Sequence, residues 1–253
     1  MLRHISHKNL GRSQKGWLDS HFHFSFAEYY NPKNIRFGVL RVMNDDIIQP
    51  NTGFSLHPHE DMEIISYVVK GELSHRDTIG NQSAITDGQC QYMSAGTGIF
   101  HSEYNHSDEA LRFIQIWILP DKPGHKPNYG DYKFALEDRF DQLLPIATSV
   151  ENQENQAPIK IHADINMYAT ILSKGSTCSF SVNKGRQAYL LLMEGEAQIG
   201  NLHLVERDAL EIIQEDIHIH TKEGAHVLII EMALDEACFQ EKYLEFADQY
   251  QGE

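Results

Sequence analysis

The stretch L-H-P-H-E-D-M-E (56–63) concentrates side chains that bind metals, since it holds two histidines and three acidic residues. On an extended strand, alternate side chains leave opposite faces, so His57, His59 and Glu63 can all point to one side if no bulge intervenes. Imidazole and carboxylate together suit iron, manganese, nickel, copper or zinc, whereas soft sites use thiolates. The stretch therefore predicts one half of a metal site.

The segment M-S-A-G-T-G-I-F-H-S-E-Y-N (93–105) supplies a second pair of candidate ligands, His101 and Glu103, which also share a strand face. The glycines of G-T-G suit a tight turn just before them. No lysine and no helical pattern follow these glycines, so we do not predict a phosphate site. From the residues alone, the carboxylate that joins the three histidines can be Glu63 or Glu103.

The elements that must hold these ligands read as strands. Four short runs are rich in Ile, Val, Leu, Tyr and Phe and are separated by Gly, Asn and Asp: 62–69, 111–119, 188–193 and 225–232. Helical periodicity is clear only near the end, where Phe239, Tyr243, Phe246 and Tyr250 recur on one helical face. We predict an all-β fold with a short C-terminal helix.

The chain also repeats itself weakly, which predicts two β-domains. Y-V-V-K-G-E-L-S-H-R-D-T-I-G-N (67–81) resembles Y-L-L-L-M-E-G-E-A-Q-I-G-N (189–201), about half the chain further on. Polar, Pro- and Gly-containing stretches lie between the two units. The predicted organisation is a metal-binding domain at 1–130, a connecting segment at 131–158, a second β-domain at 159–235 and the helix at 236–253.

The second domain is predicted to carry no metal. Its positions that correspond to the first three candidate ligands hold no histidine or glutamate: Ser181, Asn183 and Gln187. His218 and His220 lie near the place of His-Ser-Glu but have no partners there, so we interpret them as strand residues.

Composition narrows the class of protein. The formal net charge of −15 and the lack of a Lys/Arg-rich run argue against direct nucleic-acid binding. The three cysteines are far apart, which argues against a disulfide framework and favours a reducing compartment. No apolar leader and no long apolar run is present, so we expect a cytoplasmic protein without a membrane span. We also expect a monomer, with a protein partner as an option.

Two longer patterns resemble the motifs of the cupin superfamily. G-x3-H-x-H-x3-E-x7-G (Gly53 to Gly71) resembles the first cupin motif, and G-x12-H-x3-N (Gly88 to Asn105) resembles the second. The strings H-P-H-E-D-M-E (57–63), H-R-D-T-I-G-N (75–81) and G-T-G-I-F-H-S-E (96–103) more specifically resemble the pirin family. Within that family, the chain is similar to bacterial pirin-like bicupins with quercetinase activity.

This resemblance implies a bicupin, in which two β-barrel (jelly-roll) domains stack on each other. It also implies that His57, His59, His101 and Glu103 hold one divalent transition ion. Iron is the first choice, with manganese, nickel, copper, cobalt or zinc as alternatives. Glu63 then becomes an outer partner that orients a histidine or a water.

The function that the resemblance implies is oxidative cleavage of the heterocyclic ring of flavonols such as quercetin. Dioxygen is the co-substrate, carbon monoxide is released, and Glu103 is the catalytic residue that accepts the proton of the 3-hydroxyl group. Two alternatives stay open. One is a metal-binding regulator that acts through protein partners, and the other is an enzyme whose substrate is a different small enol or phenol.

Overall fold

The computed structural model describes residues 1–237, and their regular secondary structure is almost entirely β-strand. In chain order the strands are β1 (Leu2–Ile5), β2 (Gly11–Gln14), β3 (Leu18–Phe22), β4 (Leu40–Ile48), β5 (Thr52–His59), β6 (Glu63–Lys70), β7 (Glu72–Asp77), β8 (Gln82–Thr86), β9 (Cys90–Ser94), β10 (Ile99–Asn105), β11 (Leu111–Ile118), β12 (Asn128–Tyr132), β13 (Leu144–Ser149), β14 (Ile159–Ile161), β15 (Ile165–Leu172), β16 (Thr177–Ser181), β17 (Arg186–Ile199), β18 (Leu202–Val205), β19 (Ala209–Ile213), β20 (Asp216–His220) and β21 (Ala225–Ala233). Two short 3₁₀ helices span His7–Asn9 and Leu136–Arg139.

The all-β prediction is confirmed. The predicted C-terminal helix at 236–253 lies outside the described residues apart from its first two positions. Within residues 1–237, no helix has both the length and the apolar character needed to cross a membrane.

The first lobe contains β2–β12 in two antiparallel sheets. A seven-stranded sheet has the order β12-β9-β6-β11-β4-β3-β2, and a four-stranded sheet has the order β5-β10-β7-β8. The two sheets contribute to one apolar cluster, whose buried members are Leu18, Ile48, Val68, Leu73, Ile85, Leu111 and Phe113. This lobe carries both segments that the sequence identified as metal-binding.

The second lobe is a ten-stranded sheet with the path β1-β19-β17-β21-β15-β13-β14, to which β16, β18 and β20 are also paired. The long strand β17 pairs with β19 and β21 along its first part and with β18 and β20 near its end. Strand β17 therefore runs through both layers of the second lobe. Between the layers lies a second apolar cluster, which includes Leu190, Leu192, Ile217, Ile219 and Val227.

The two lobes stack through a further apolar cluster to which both contribute. Ile65, Ile114 and Ile116 come from the seven-stranded sheet, and Leu191 and Leu228 come from the second lobe. Strand β6 is buried along nearly its whole length because alternate residues face the first-lobe interior and the second lobe. That is why the sequence shows a nearly continuous apolar run here instead of a simple alternation.

The boundaries between the lobes differ from the predicted ones at both ends of the first lobe. Strand β1 pairs with β19 in the second lobe, although it precedes the whole first lobe in the chain. The predicted boundary at residue 130 falls inside β12, and β13, which lies in the predicted connecting segment, pairs with β15. Strand β1 covers an edge of the second-lobe sheet that would otherwise expose unpaired backbone groups.

The packing between the lobes can be tested with two isoleucines. Ile65→Ala should lower the free energy of unfolding by about 2–5 kcal/mol, because it leaves a cavity in the cluster between the lobes. Ile79→Ala is the control, since Ile79 is exposed and its loss should change stability by less than about 0.5 kcal/mol. Chemical denaturation of both variants measures the difference. Equal stability of the two variants would contradict this account of the interface.

Candidate metal centre

Three histidines converge on the paired strands β5 and β10. His57 lies directly opposite His101, and His59 lies opposite Ile99 at the next pair of the same face. The ring centroids are 4.4 Å apart for His57 and His101, and 4.8 Å apart for His59 and His101. One nitrogen of each ring lies within 4.8 Å of the others, which is a grouping that can hold a metal ion.

The state of these rings fits a transition metal. Both ring nitrogens of the buried His101 lack a hydrogen-bond partner among the described residues. Nδ1 of His57 donates to the carbonyl oxygen of Ser55 at 2.7 Å, so Nε2 keeps its lone pair. Burial, together with the neighbouring histidines, lowers the pKa of His59 and of His101 to about 3. Both rings are therefore neutral near pH 7, the form that binds a metal.

Glu103 lies two residues from His101 but is held by its own set of donors inside the first lobe. Its Oε1 accepts hydrogen bonds from Ser66 Oγ at 2.8 Å and Gln91 Nε2 at 2.7 Å. Its Oε2 accepts one from Gln115 Nε2 at 2.6 Å. The charge of Glu103 acts on the pKa of His59 in the opposite direction to burial, but the lowering by burial is the larger effect. Among the described residues, the group of mutually close donors contains the three histidines and not Glu103, so the role of Glu103 as fourth ligand stays a prediction.

The hydrogen bonds of Glu63 connect it to Ser94 and to the second lobe, and not to one of the three ligand histidines. Its Oε1 accepts a hydrogen bond from Ser94 Oγ at 2.7 Å and lies 3.2 Å from Nδ1 of His162, which follows β14. The prediction that Glu63 shares a strand face with His57 and His59 assumed one continuous strand through all three residues. The structure instead ends β5 at His59, turns through Asp61 with φ at +46°, and starts β6 at Glu63. The described contacts therefore assign Glu63 to the junction of the lobes.

A fourth histidine, His75 on β7, lies beside the cluster and was missed in the sequence. It is buried, its ring centroid is 5.3 Å from that of His101, and it stacks on Tyr129 at 4.2 Å. Its Nε2 pairs with Asp77 Oδ2 at 3.1 Å, while its Nδ1 has no partner among the described residues. The string H-R-D offered a signal, but only the pairing of β7 with β10 shows that His75 faces Glu103.

The walls beside the histidines are apolar and aromatic. The Trp117 ring lies edge-on to His59 with centroids 4.8 Å apart, and Phe54 lies 6.3 Å from His57. A small buried cluster of Ile64, Met93, Ala95 and Ile99 packs against Trp117. The site therefore combines three metal-binding nitrogens with surfaces that suit a planar aromatic ligand.

His218 and His220 of the second lobe have local partners. On β20, Nδ1 of His218 lies 2.8 Å from Ser179 Oγ, and Nδ1 of His220 lies 3.1 Å from Thr177 Oγ1. Their predicted place on a strand is confirmed.

Two stacked lobes, with a three-histidine site on paired strands of the first, define the class of bicupin proteins. Residues 5–118 match the family Pirin, and residues 148–232 match the family described as the quercetinase C-terminal cupin domain. The chain belongs to the pirin family.

Relatives cover most of the chain. A pirin-like protein of Caulobacter vibrioides is 40% identical over 225 residues, which is 88% of this chain and 96% of that protein. The quercetin 2,3-dioxygenase of Escherichia coli is 38% identical over 225 residues, which is 88% of this chain and 94% of that protein. The crystal structure of the bacterial pirin YhhW from Escherichia coli in complex with nickel(II) has a TM-score of 0.85 and 35% identity, and it covers 92% of this chain and 100% of that one.

The histidine cluster can be tested by metal content. His57→Ala and His101→Ala should each remove most of the bound metal, because each deletes one of the three converging nitrogens. His218→Ala is the matched control on β20 and should keep one ion per chain. Elemental analysis of the purified variants gives the stoichiometry. Loss of metal in His218→Ala would show that the site lies in the other lobe.

The two glutamates can be separated in the same way. Glu103→Ala should lose most of the metal, whereas Glu63→Ala should keep it. Glu63→Ala should instead lower the free energy of unfolding by about 1–3 kcal/mol, because Ser94 and His162 lose a buried partner. Metal titration and denaturation of both variants measure these effects. A metal-free Glu63→Ala beside a metal-replete Glu103→Ala would reverse the assignment.

Proposed function

We propose that this chain is a metal-dependent dioxygenase that opens the heterocyclic ring of flavonols such as quercetin and releases carbon monoxide. The observation that carries this proposal is the convergence of three histidine side chains beside Glu103 in a pirin-family bicupin. The name of the Escherichia coli relative, quercetin 2,3-dioxygenase, supports the choice of substrate and reaction.

His57, His59 and His101, joined by Glu103, would hold one divalent transition ion. Iron is our first choice, and the nickel-bound pirin from Escherichia coli supports a transition metal in general. When bound, such an ion lowers the pKa of a coordinating enol or phenol oxygen and brings the reactants together. The protein keeps the histidines neutral by burying them, so metal binding does not compete with protons at His59 and His101 near pH 7.

Glu103 would act as the proton acceptor for the 3-hydroxyl group of the flavonol. Its Oε1 has two donors and its Oε2 has one, so one lone pair remains at Oε2. Glu103 would give this lone pair to the metal before substrate binds and to the proton of the 3-hydroxyl group during turnover. The donors Ser66, Gln91 and Gln115 lie on three neighbouring strands and fix the orientation of the carboxylate. A base that is already oriented need not be ordered when substrate arrives.

The apolar walls would bind the flat ring system of the flavonol. Trp117 and Phe54 offer aromatic surface next to His59 and His57, and the cluster around Ile64 excludes water from one side. Carbon monoxide would carry away one ring carbon together with its hydroxyl oxygen, and both oxygen atoms of dioxygen would enter the opened product.

A second candidate function is that of a metal-binding regulator with a protein partner. Three large apolar side chains are exposed near the metal-binding strands: Leu56 on β5, Phe100 on β10 and Ile79 in the turn after β7. Phe100 pairs with Pro58 across the two strands, so part of this apolar surface lies on the outer face of the strands whose other face carries His57 and His59. Exposed apolar groups next to a site often mark a contact with another protein.

Turnover of quercetin by purified, metal-loaded protein decides between these functions. We expect loss of flavonol absorbance with matched consumption of dioxygen and release of carbon monoxide. Glu103→Gln should keep an oxygen ligand but lose the proton acceptor, so kcat should fall by about 10²–10⁴-fold while metal remains bound. Wild-type protein that binds metal but does not turn over any flavonol would contradict the dioxygenase and favour the regulator.

A further inference from the structure

Tyr129 on β12 reaches across the seam between the two sheets of the first lobe. Strand β12 forms one edge of the seven-stranded sheet, and β8 forms one edge of the four-stranded sheet. The hydroxyl of Tyr129 hydrogen-bonds with Ser83 Oγ on β8. Its ring stacks on the buried His75 of β7, with centroids 4.2 Å apart and planes inclined by 16°. The phenol is therefore fixed both in position and in tilt.

The same hydroxyl belongs to a line of hydrogen bonds that ends on Glu103. Tyr129 donates to Gln91 Oε1 at 3.2 Å, and Gln91 Nε2 donates to Glu103 Oε1 at 2.7 Å. Burial raises the pKa of the Tyr129 hydroxyl, so it keeps the proton that it donates. Because a phenol hydroxyl has a single proton, Ser83 acts as the donor to Tyr129. The hydrogen bonds from Ser83 to Glu103 thus all point the same way, and each strengthens the next.

The placement of the Gln91 amide depends on this hydroxyl. The Gln91 side chain is buried, its Oε1 can only accept and its Nε2 can only donate. Among residues 1–237, the donor to Oε1 is Tyr129. Without that donor, a buried carbonyl oxygen would be left unpaired, which is unfavourable. The amide could relieve this only by moving, and a movement would weaken its hydrogen bond to Glu103.

A displaced Gln91 would disturb a second donor to the carboxylate. Nε2 of Gln91 also donates to Ser66 Oγ at 3.3 Å, and Ser66 Oγ donates to Glu103 Oε1. Both hydrogen bonds at Oε1 of Glu103 therefore depend on where the amide lies. The remaining donor, Gln115, binds the other oxygen.

We propose that Tyr129 is a positioning residue for the metal centre, which holds the Glu103 carboxylate in its working orientation through Gln91. The inference rests on the proposed role of Glu103 as metal ligand and proton acceptor. It also links the site to the closure of the lobe, because the hydroxyl that orients Gln91 is the one that joins β12 to β8.

Nickel(II) titration of Tyr129→Phe in the full chain provides the first test. This variant keeps the ring and its stacking on His75 and removes only the hydroxyl. Its affinity for nickel(II) should fall about ten-fold, at the lower end of the effect of groups that orient a metal ligand. With quercetin as the substrate, kcat should fall while KM changes little, since the apolar walls are unchanged. Unchanged affinity in this variant would overturn the proposal.

Tyr92→Phe is the matched control. Tyr92 follows Gln91 on β9, so its side chain lies on the opposite face of the same strand. Its hydroxyl accepts a hydrogen bond from Asn128 Nδ2 at 2.7 Å, so the variant also loses one hydrogen bond between β9 and β12. It should keep the nickel(II) affinity of the wild type. An equal loss in both variants would mean that the strand pair as a whole is responsible, and would overturn the proposal.

A double-mutant cycle shows whether Tyr129 acts through Gln91. Gln91→Leu alone should weaken nickel(II) binding by about 10–100-fold, because it removes a donor to Glu103. The double variant Gln91→Leu/Tyr129→Phe should bind as weakly as Gln91→Leu and no more weakly, since the hydroxyl then has no amide to orient. Fold losses that multiply in the double variant would overturn the proposal.

A second measurement covers the case in which Gln91→Leu does not fold. The side-chain amide resonances of Gln91 should shift between the wild type and Tyr129→Phe, and should not shift in Tyr92→Phe. Unshifted resonances in Tyr129→Phe would overturn the proposal. Wild-type protein that binds nickel(II) and follows this pattern without turning over quercetin would contradict the dioxygenase alone, because these measurements do not require turnover.

Discussion

The alternation of side chains along β6 is the constraint on which the rest of the molecule depends. This strand lies in the wall between the lobes, so successive residues serve different parts of the protein. Ser66 faces inward and binds Glu103, while Tyr67 faces the second lobe and binds Arg139 and His226. A shift of one residue in the pairing of β6 would exchange these faces, so the metal site and the lobe interface require the same register.

The sequence was sufficient for the parts of the site that depend on local geometry. His57, His59 and His101 were predicted from alternation within β5 and β10, and the structure brings them together. The relation of Glu63 to His57 and His59 could not be read in this way, because a count along the chain cannot show that a turn at Asp61 separates two strands. His75 was missed because its proximity to His101 depends on the pairing of β7 with β10, which no local pattern records.

The fold could be predicted as two β-domains for a similar reason, while their boundaries could not. Short apolar runs and turn residues report which segments are strands, but they do not report which strands pair. The position of β1 in the second lobe depends on an edge that β19 offers far along the chain. Likewise, the three donors to Glu103 come from β6, β9 and β11, and their convergence depends on the order of strands in the sheet.

The placement of β1 also has a consequence for how this protein can form and be divided. Leu2 pairs opposite Ile212, so β1 leaves the ribosome about 200 residues before its partner strand is made. Closing so long a loop carries an entropic cost and gives this contact a high sequence separation, which slows folding. A first-lobe fragment would lack the partner of β1, and a second-lobe fragment would lack the strand that covers β19. The two lobes therefore depend on each other although they are separate in shape. An exchange of one lobe between relatives would have to keep β1 matched to β19.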